Sequence, residues 1–379
     1  MTRVLFVGQS YIAGDSRQKL ARLAQHPGYS IGLVVPSVWE HESFGRYVFQ
    51  PTPEHRAVTF FPIPIRNNGR VFAFSYHLRA LWRAIQTFQP EILHVEQEPG
   101  SLVLLQFVAL KFLLRRVKLI AFTWENLFYC PPALRDFLER IELPHLDYLL
   151  VGSADAAQVA RQKNYRGPLA VLPNVGVDAE QFAPRTGAAL RATLNIHARY
   201  VIGFVGRLAP EKGCLDLLRA FAQMPDDCHL LFVGSGALRD DLARRADELG
   251  VAMRVTFQPA VPHARVADFL NALDVLVLPS RTTPQWREQF GLVLAQAMSC
   301  GVPVIGANSG AIPEVIGDAG LIFPEGAINA LRDHLARVRD DPGARAELSA
   351  RGRARVLALF THERIAEQTL AIYRQLGVD

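Results

Sequence analysis

Short apolar runs rich in Val, Ile, Leu and Phe alternate with helix-patterned segments along nearly the whole chain, and few folds accommodate that alternation. Runs apolar at every position must be buried on both faces, which happens when helices cover both sides of a parallel sheet. In the first half the pattern predicts strands at Arg3 to Val7, Ile31 to Val35, Val58 to Phe61, Ile92 to Val95, Leu119 to Phe122 and Tyr148 to Val151. A second set is predicted at Tyr200 to Val205, His229 to Val233, Arg254 to Phe257, Val275 to Leu278 and Val302 to Ile305. A chain of 379 residues, 50% of them hydrophobic, is too long for one ordinary core and can fill two. The expectation is therefore α/β, with two Rossmann-like doubly wound parallel-sheet domains.

The boundary is expected where Pro173-Asn-Val-Gly-Val-Asp178 ends the first set and the turn-rich segment Pro184 to Gly187 follows. This assigns 1–180 to an N-terminal domain and 181–360 to a C-terminal one. Ligands bind at the carboxyl ends of strands in open α/β sheets, so two such sheets are expected to face one another across a cleft.

Cys130, Cys214, Cys228 and Cys300 are scattered, with no CxxC and no His cluster, which argues for a reducing compartment and against structural zinc. The N-terminus enters a strand at once, leaving no room for a signal peptide, so a cytoplasmic location is expected. Residues 1–180 carry 19 Lys/Arg against 15 Asp/Glu, whereas the remainder carries 22 against 21. The basic excess is densest around Leu102 to Leu119, where Lys111, Arg115, Arg116 and Lys118 close an apolar helix too short to span a bilayer. Two readings stand: a buried helix whose basic end suits its dipole, or a segment docking on an anionic membrane face. No nucleic-acid motif is present.

The chemistry concentrates in the second half. The stretch Leu278 to Ile305 reads as a strand end, a polar loop, Glu288-Gln-Phe-Gly291, a helix, and Gly301-Val-Pro-Val. Glu288 precedes the helix and Gln296 lies about one and a half turns inside it, placing them on the order of 10 Å apart on one wall. That span suits a nucleotide sugar folded around its diphosphate, and the amides near Phe290, Gly291 and Leu292 suit an anion. After the strand Tyr200 to Val205, Gly206-Arg207-Leu-Ala-Pro-Glu211-Lys212-Gly213 can aim two cations at one diphosphate. Gly234-Ser-Gly236 fits either a phosphate loop or a tight turn. Phe257-Gln258-Pro259 either holds a base or merely ends a strand.

Together, Gly206-Arg-Leu-x-x-Glu-Lys-Gly213, Leu278-Pro-Ser280, Glu288-x-Phe-Gly291 and Ala297-Met-x-x-Gly301-x-Pro-Val304 resemble the donor-site signatures of family-4 retaining glycosyltransferases, the glycosyl transferases group 1, with the GT-B fold. Pro173 to Asp178 resembles that family's linker. Phe360 to Tyr373 resembles its closing helices, which implies that 361–379 packs back toward the N-terminal domain. By this resemblance Arg207 and Lys212 bind the donor diphosphate and Glu288 the hydroxyls of the transferred sugar. The family's second acid, which holds the ribose, is here Gln296; an amide keeps one acceptor, so the expected cost is roughly 1 kcal/mol in affinity.

Two departures lie in the first domain. Many relatives have a His after the strand ending at Phe122, where this chain has Thr123-Trp124-Glu125-Asn126. Glu125 and Asn126 either contact the sugar or acceptor or belong to a packed loop wall. The glycine-rich acceptor loop of relatives is replaced by Gly8-Gln9-Ser10-Tyr11, ahead of Lys19; Tyr11 and Lys19 are acceptor-side candidates, against packing and solvation. Asn308 to Glu314 resembles the family's last donor-side loop.

The implied activity is retaining transfer of a hexose from a UDP- or GDP-sugar to a hydroxyl of a saccharide or lipid-linked acceptor, in polysaccharide or glycoconjugate synthesis. No protein nucleophile and no DxD-like metal motif is evident, so a metal-independent reaction without a cofactor is expected. The expected partners are the nucleotide sugar, the acceptor and a peripheral membrane contact through the N-terminal domain. A nucleotide-sugar epimerase and a catalytically silent binding subunit are the rival readings. A dinucleotide oxidoreductase is disfavoured, because no GxGxxG opens a helix after a strand.

Overall fold

The computed structural model describes residues 1–41, 45–114, 116–129 and 131–377; Arg115 of the basic segment and Cys130 lie outside them. Two compact units are present, one formed by Met1–Gly176 with His362–Asp379, the other by Val177–Thr361.

The first unit is built on a seven-stranded parallel sheet in the spatial order Leu169–Val171, Tyr148–Val151, Lys118–Thr123, Ile92–Val95, Thr2–Val7, Tyr29–Pro36, Val58–Ile63. Its central strands are buried throughout, which is why their sequences are apolar at successive positions. Ile365, Ala366, Leu370, Ile372 and Tyr373 of the terminal helix His362–Gln375 belong to the same core. The second unit has a six-stranded parallel sheet in the order Val255–Gln258, Cys228–Val233, Tyr200–Val205, Val275–Leu278, Val304–Ala307, Leu321–Phe323. In each sheet the order reverses beside the unit's first strand. Those reversals open crevices between Thr2–Val7 and Ile92–Val95, and between Tyr200–Val205 and Val275–Leu278.

Several expectations need correction. The strand expected at Val302 to Ile305 is Val304–Ala307, because Gly301 adopts φ +73° and Val302 N bonds back to Ala297 O, closing the preceding helix. The strand expected from Arg254 begins at Val255, since Ala252–Arg254 forms a 3-10 turn. Leu169–Val171, Leu321–Phe323 and two antiparallel hairpins, Val38–His41 with Gly45–Val48 and Ile65–Arg66 with Ser75–Tyr76, were not anticipated. None of these strands is longer than four residues, and a run that short carries little periodicity.

The basic helix is Leu102–Leu113, with Val103, Leu104, Phe107, Val108 and Leu110 buried. Lys111 is tied to Asp147 Oδ2 at 2.6 Å and to His145 O at 2.7 Å, and Lys118 lies 3.9 Å from Asp147 Oδ1. Those two cations are engaged in holding the unit together, which is the buried-helix reading. No helix among the described residues is long and apolar enough to cross a membrane.

Candidate functional site

In the second unit, the two loops at the reversal are joined by backbone contacts. Arg281 N donates to Glu211 O at 2.8 Å, and Gly213, at φ +66°, packs where a Cβ would strike the carbonyl of Pro279. That close approach requires glycine at 213 and sets Lys212 beside the second loop. Lys212 Nζ donates to Glu288 Oε2 at 2.8 Å, and Ser280 Oγ donates to the same oxygen at 2.8 Å. The main chain of Glu288 is also held, because Ala311 N donates to its carbonyl at 3.1 Å and Gly310 packs where a side chain would strike that carbonyl. The loop Asn308 to Glu314 therefore buttresses Glu288 from behind.

The segment between Ser280 and Glu288 is anchored at several points. Arg281 forms a bidentate pair with Asp216; Thr282 N and Oγ1 donate to Glu325 at 2.7 and 2.6 Å; Thr283 N donates to Trp286 O at 2.8 Å. The resulting tight turn places the half-buried Trp286 ring with its centroid 4.5 Å from Lys212 Nζ. Lys212 is thus held between a carboxylate and an aromatic face.

The remaining donor-side candidates are placed as follows. Arg207 does not join this group: its side chain is 61% exposed and pairs with Glu211 at 3.0 Å. Gly206 starts the loop, with its N–H donating to Val233 O at 2.9 Å. Gly291, at φ +76°, opens the helix Leu292–Ser299, beside a buried Phe290 that packs edge-on to Phe360. Gln296 is buried and lies 3.2 Å from His263 Nε2 through its Nε2. Gln258 ends its strand, its carbonyl accepting from Gly234 N at 2.9 Å, while Phe257 stacks on Phe232 and lies beneath Arg239. A Cβ at Gly234 would strike Gly206 O, and one at Gly236 would strike Leu208 O. Both glycines thereby let the Arg207 loop lie against them, which is the tight-turn account of that motif.

The reversal in the first unit carries a different group. Tyr11 and Lys19 are both buried and both engage Glu96: Tyr11 OH donates to Oε2 at 2.7 Å and the Lys19 ammonium pairs with Oε1. Asn174 Nδ2 donates to Glu96 Oε2 at 3.0 Å, and His94 Nε2 stands 3.6 Å from Oε1. The other ring nitrogen of His94 bonds to Tyr373 OH at 2.6 Å, tying the terminal helix to this cluster. Burial, with Lys19 nearby, holds His94 well below the usual imidazole range; burial and the charge of Glu96 raise Tyr11. Gln9 is half-buried with its Oε1 unpartnered, and Ser10 is exposed. Tyr11 and Lys19 are therefore core elements around Glu96, and neither is a solvated surface group.

Glu125 accepts from Lys163 at 2.6 Å and lies 3.4 Å from Arg135; Lys163 also pairs with Glu139 at 2.7 Å. Asn126 is buried beside it in the sequence. Below this network Glu142 is fully enclosed, accepting from Gly100 N at 2.6 Å, and burial pushes its carboxyl up to about 8. Cys214, Cys228 and Cys300 are buried free thiols, and burial pushes Cys214 up to about 12, which makes it a poor nucleophile. Among the described residues no three His, Cys, Asp or Glu side chains group as metal ligands would.

Sequence reasoning missed Glu96, Ser280, Trp286 and His263. Ser280 belongs to the quoted Leu-Pro-Ser motif, and its role was open to inference from that position. Glu96 follows a strand at the first reversal, a signal that needs the strand order to be read.

Comparison with known proteins agrees with this architecture. Sucrose-phosphate synthase from Thermosynechococcus elongatus superposes over 100% of this chain and 99% of its own, with a TM-score of 0.71 and 25% identity. HepE of Anabaena, solved with UDP and glucose, superposes over 99% of this chain and 100% of its own, with a TM-score of 0.71 and 19% identity. Two parallel-sheet α/β domains of this kind define the GT-B fold class. Residues 188–355, within the second unit, match the family model for glycosyl transferases group 1. The chain is 33% identical over 255 residues, 64% of its length, to D-inositol 3-phosphate glycosyltransferase of Mycobacterium tuberculosis. That match covers 52% of the relative, so the chain spans about half the length of the curated relatives it matches.

Proposed function

We propose that this chain is a retaining, metal-independent glycosyltransferase that moves a hexose from a UDP- or GDP-sugar to a hydroxyl of a saccharide or lipid-linked acceptor. The observation that carries the reading is the meeting of Lys212 and Glu288 at the reversal of the second sheet, 2.8 Å apart. A cation and a carboxylate on one crevice match the two parts of a nucleotide sugar, diphosphate and polyol. The names of the relatives, one an inositol-phosphate glycosyltransferase and one a complex with UDP and glucose, support the same class.

In this reading Lys212 offsets charge on the departing diphosphate, and Arg207 joins it by swinging away from Glu211. The amides opening the helix at Gly291 add donors to the same anion. Glu288, fixed by Ser280 and the 310–311 backbone, accepts from sugar hydroxyls. Gln296 takes the ribose, and Gln258 the base. The acceptor oxygen bonds to the anomeric carbon on the face the diphosphate leaves, the bond from that carbon to the phosphate oxygen breaks, and the acceptor proton passes to a phosphate oxygen. The setting we propose is the cytoplasmic side of the membrane, in polysaccharide or glycoconjugate synthesis.

The test is incubation of the purified chain with a panel of UDP- and GDP-hexoses and saccharide acceptors, with and without chelator, followed by anomeric analysis of the product. Transfer with retention that survives the chelator supports the reading. Tight nucleotide binding with neither transfer nor donor hydrolysis would instead identify a silent binding subunit, and epimerised donor an epimerase.

A further inference from the structure

Around the reversal of the first unit, Gln9 Oε1, Asn174 Oδ1 and both Oε1 and Nε2 of Gln97 are enclosed and have no hydrogen-bond partner. Val7 lies opposite Val95, and Glu96 N donates to Val7 O at 2.8 Å, so Gln9 and Gln97 each stand two residues past the ends of adjacent strands. Gln97 is only 3% exposed. Asn174 joins this group through Glu96, because its Nδ2 donates to Glu96 Oε2 at 3.0 Å. Only the nitrogen of an amide can serve a carboxylate, so the carbonyl oxygen of Asn174 is the atom left over. Three of the four unpartnered atoms are therefore carbonyl oxygens, which accept hydrogen bonds and donate none. The cations beside them are already committed. Lys19 pairs with Glu96, and Arg17 gives Nε to Tyr11 O, Nη1 to Gln50 O and Nη2 to Ile12 O, each at 2.7 Å. Both side chains are buried, and burial keeps His94 from protonating in the usual imidazole range. Arg66 and Arg70 stand beyond the edge strand Val58–Ile63, two strands away from the reversal.

We propose that Gln9, Gln97 and Asn174 bind the sugar unit that receives the transferred hexose as an uncharged polyol, and that a phosphate on that unit is rejected. This inference rests on the glycosyltransferase reading and adds the acceptor's chemical class, since that reading leaves a phosphorylated acceptor open. Hydroxyl groups supply the donors that the three carbonyl oxygens lack, and one hydroxyl oxygen can accept from Gln97 Nε2. A phosphate brings about two negative charges and oxygens that only accept. Set against these carbonyls it would leave both sides unbonded. Releasing Lys19 to meet it would strand the Glu96 carboxylate, and releasing Arg17 would strand three carbonyls. A site built for hydroxyl donors rejects a ligand that lacks them far more strongly than an apolar site can.

The test is a saturation-transfer NMR titration of the full chain with glucose, galactose, mannose and myo-inositol, each beside its monophosphate. UDP and GDP are both present at saturation, so that a phosphate cannot occupy the donor site. The expected result is binding of at least one neutral member, with its monophosphate at least about 10-fold weaker. Q97A removes two hydrogen-bonding groups and should weaken the neutral ligand about 10-fold, leaving nucleoside diphosphate affinity as in the wild type. Q9A, at a half-buried position, removes one and should weaken it about 3-fold. Q97K sets a cation beside the carbonyls and should shift the preference toward the monophosphate. Circular dichroism establishes that each variant has folded. A monophosphate that binds as tightly as its neutral partner, no binding by any neutral member, or wild-type saccharide binding by both folded Q97A and Q9A would each overturn the inference. Binding needs no turnover, so absent transfer with the preference intact would count against the enzymatic reading alone. Transfer to a phosphorylated acceptor in preference to its neutral partner would overturn this inference alone.

Discussion

Lys212 and Glu288 are 76 residues apart in sequence, yet Nζ and Oε2 lie 2.8 Å apart, with Ser280 Oγ on the same carboxylate oxygen. A diphosphate arriving at Lys212 must share that ammonium with Glu288. E288Q removes the competing charge while preserving shape, so nucleoside diphosphate affinity should hold or rise in this variant, whereas sugar transfer falls by about 100-fold or more. K212A should weaken nucleoside diphosphate binding by about 10- to 100-fold, the worth of a charge-assisted hydrogen bond. Titration calorimetry with UDP and GDP separates the two; an equal loss of affinity in both variants would contradict the assignment.

Trp286 presents its ring to Lys212 at 4.5 Å from a turn fixed by Thr282 and Thr283. Cation–π contacts contribute about 0.5 to 2 kcal/mol, so W286L should raise the donor KM about 3- to 30-fold with a smaller change in kcat. W286F keeps an aromatic face and should recover most of the loss. Equal effects of Leu and Phe would show that only bulk matters there.

Glu96 is the shared partner of Tyr11, Lys19 and Asn174 in the first unit. E96A leaves the buried Lys19 ammonium without its counter-charge, a change that costs about 3 to 5 kcal/mol. Thermal unfolding should show a marked fall in Tm for E96A and partial recovery in K19M/E96A. No recovery in the double variant would place the damage in packing instead of charge.

Glu142 is held at about 8 by burial, against an ordinary value of 4.5. Below the ordinary value both folded and unfolded chains are protonated, and the folded state carries no penalty. Between the two values the unfolded chain releases the proton that the folded chain keeps, so stability falls as pH rises and levels off above about 8. E142Q, which can still accept from Gly100 N, should flatten this slope. A Tm profile from pH 5 to 8 identical to the wild type would remove Glu142 as its source.

The fold class was legible in the sequence because both sheets are buried on two faces, and double burial writes uninterrupted apolar runs such as Val275–Leu278 and Tyr148–Val151. Short edge strands such as Leu321–Phe323 leave weaker traces, since they are only partly covered. Local motifs also announced the loops: glycine at 213 and 310 reports close backbone approach, and residues around such glycines are candidates for a site. What the sequence could not disclose is pairing. That Lys212 meets Glu288 while Arg207 turns to Glu211, that Lys19 is buried on Glu96, and that Lys111 is spent on Asp147 are outcomes of strand order and packing. The chain by itself determined which segments become strands and helices, because burial periodicity is local. Only the tertiary structure decided which charges neutralise one another, because an ion pair depends on distances between residues that the sequence keeps far apart.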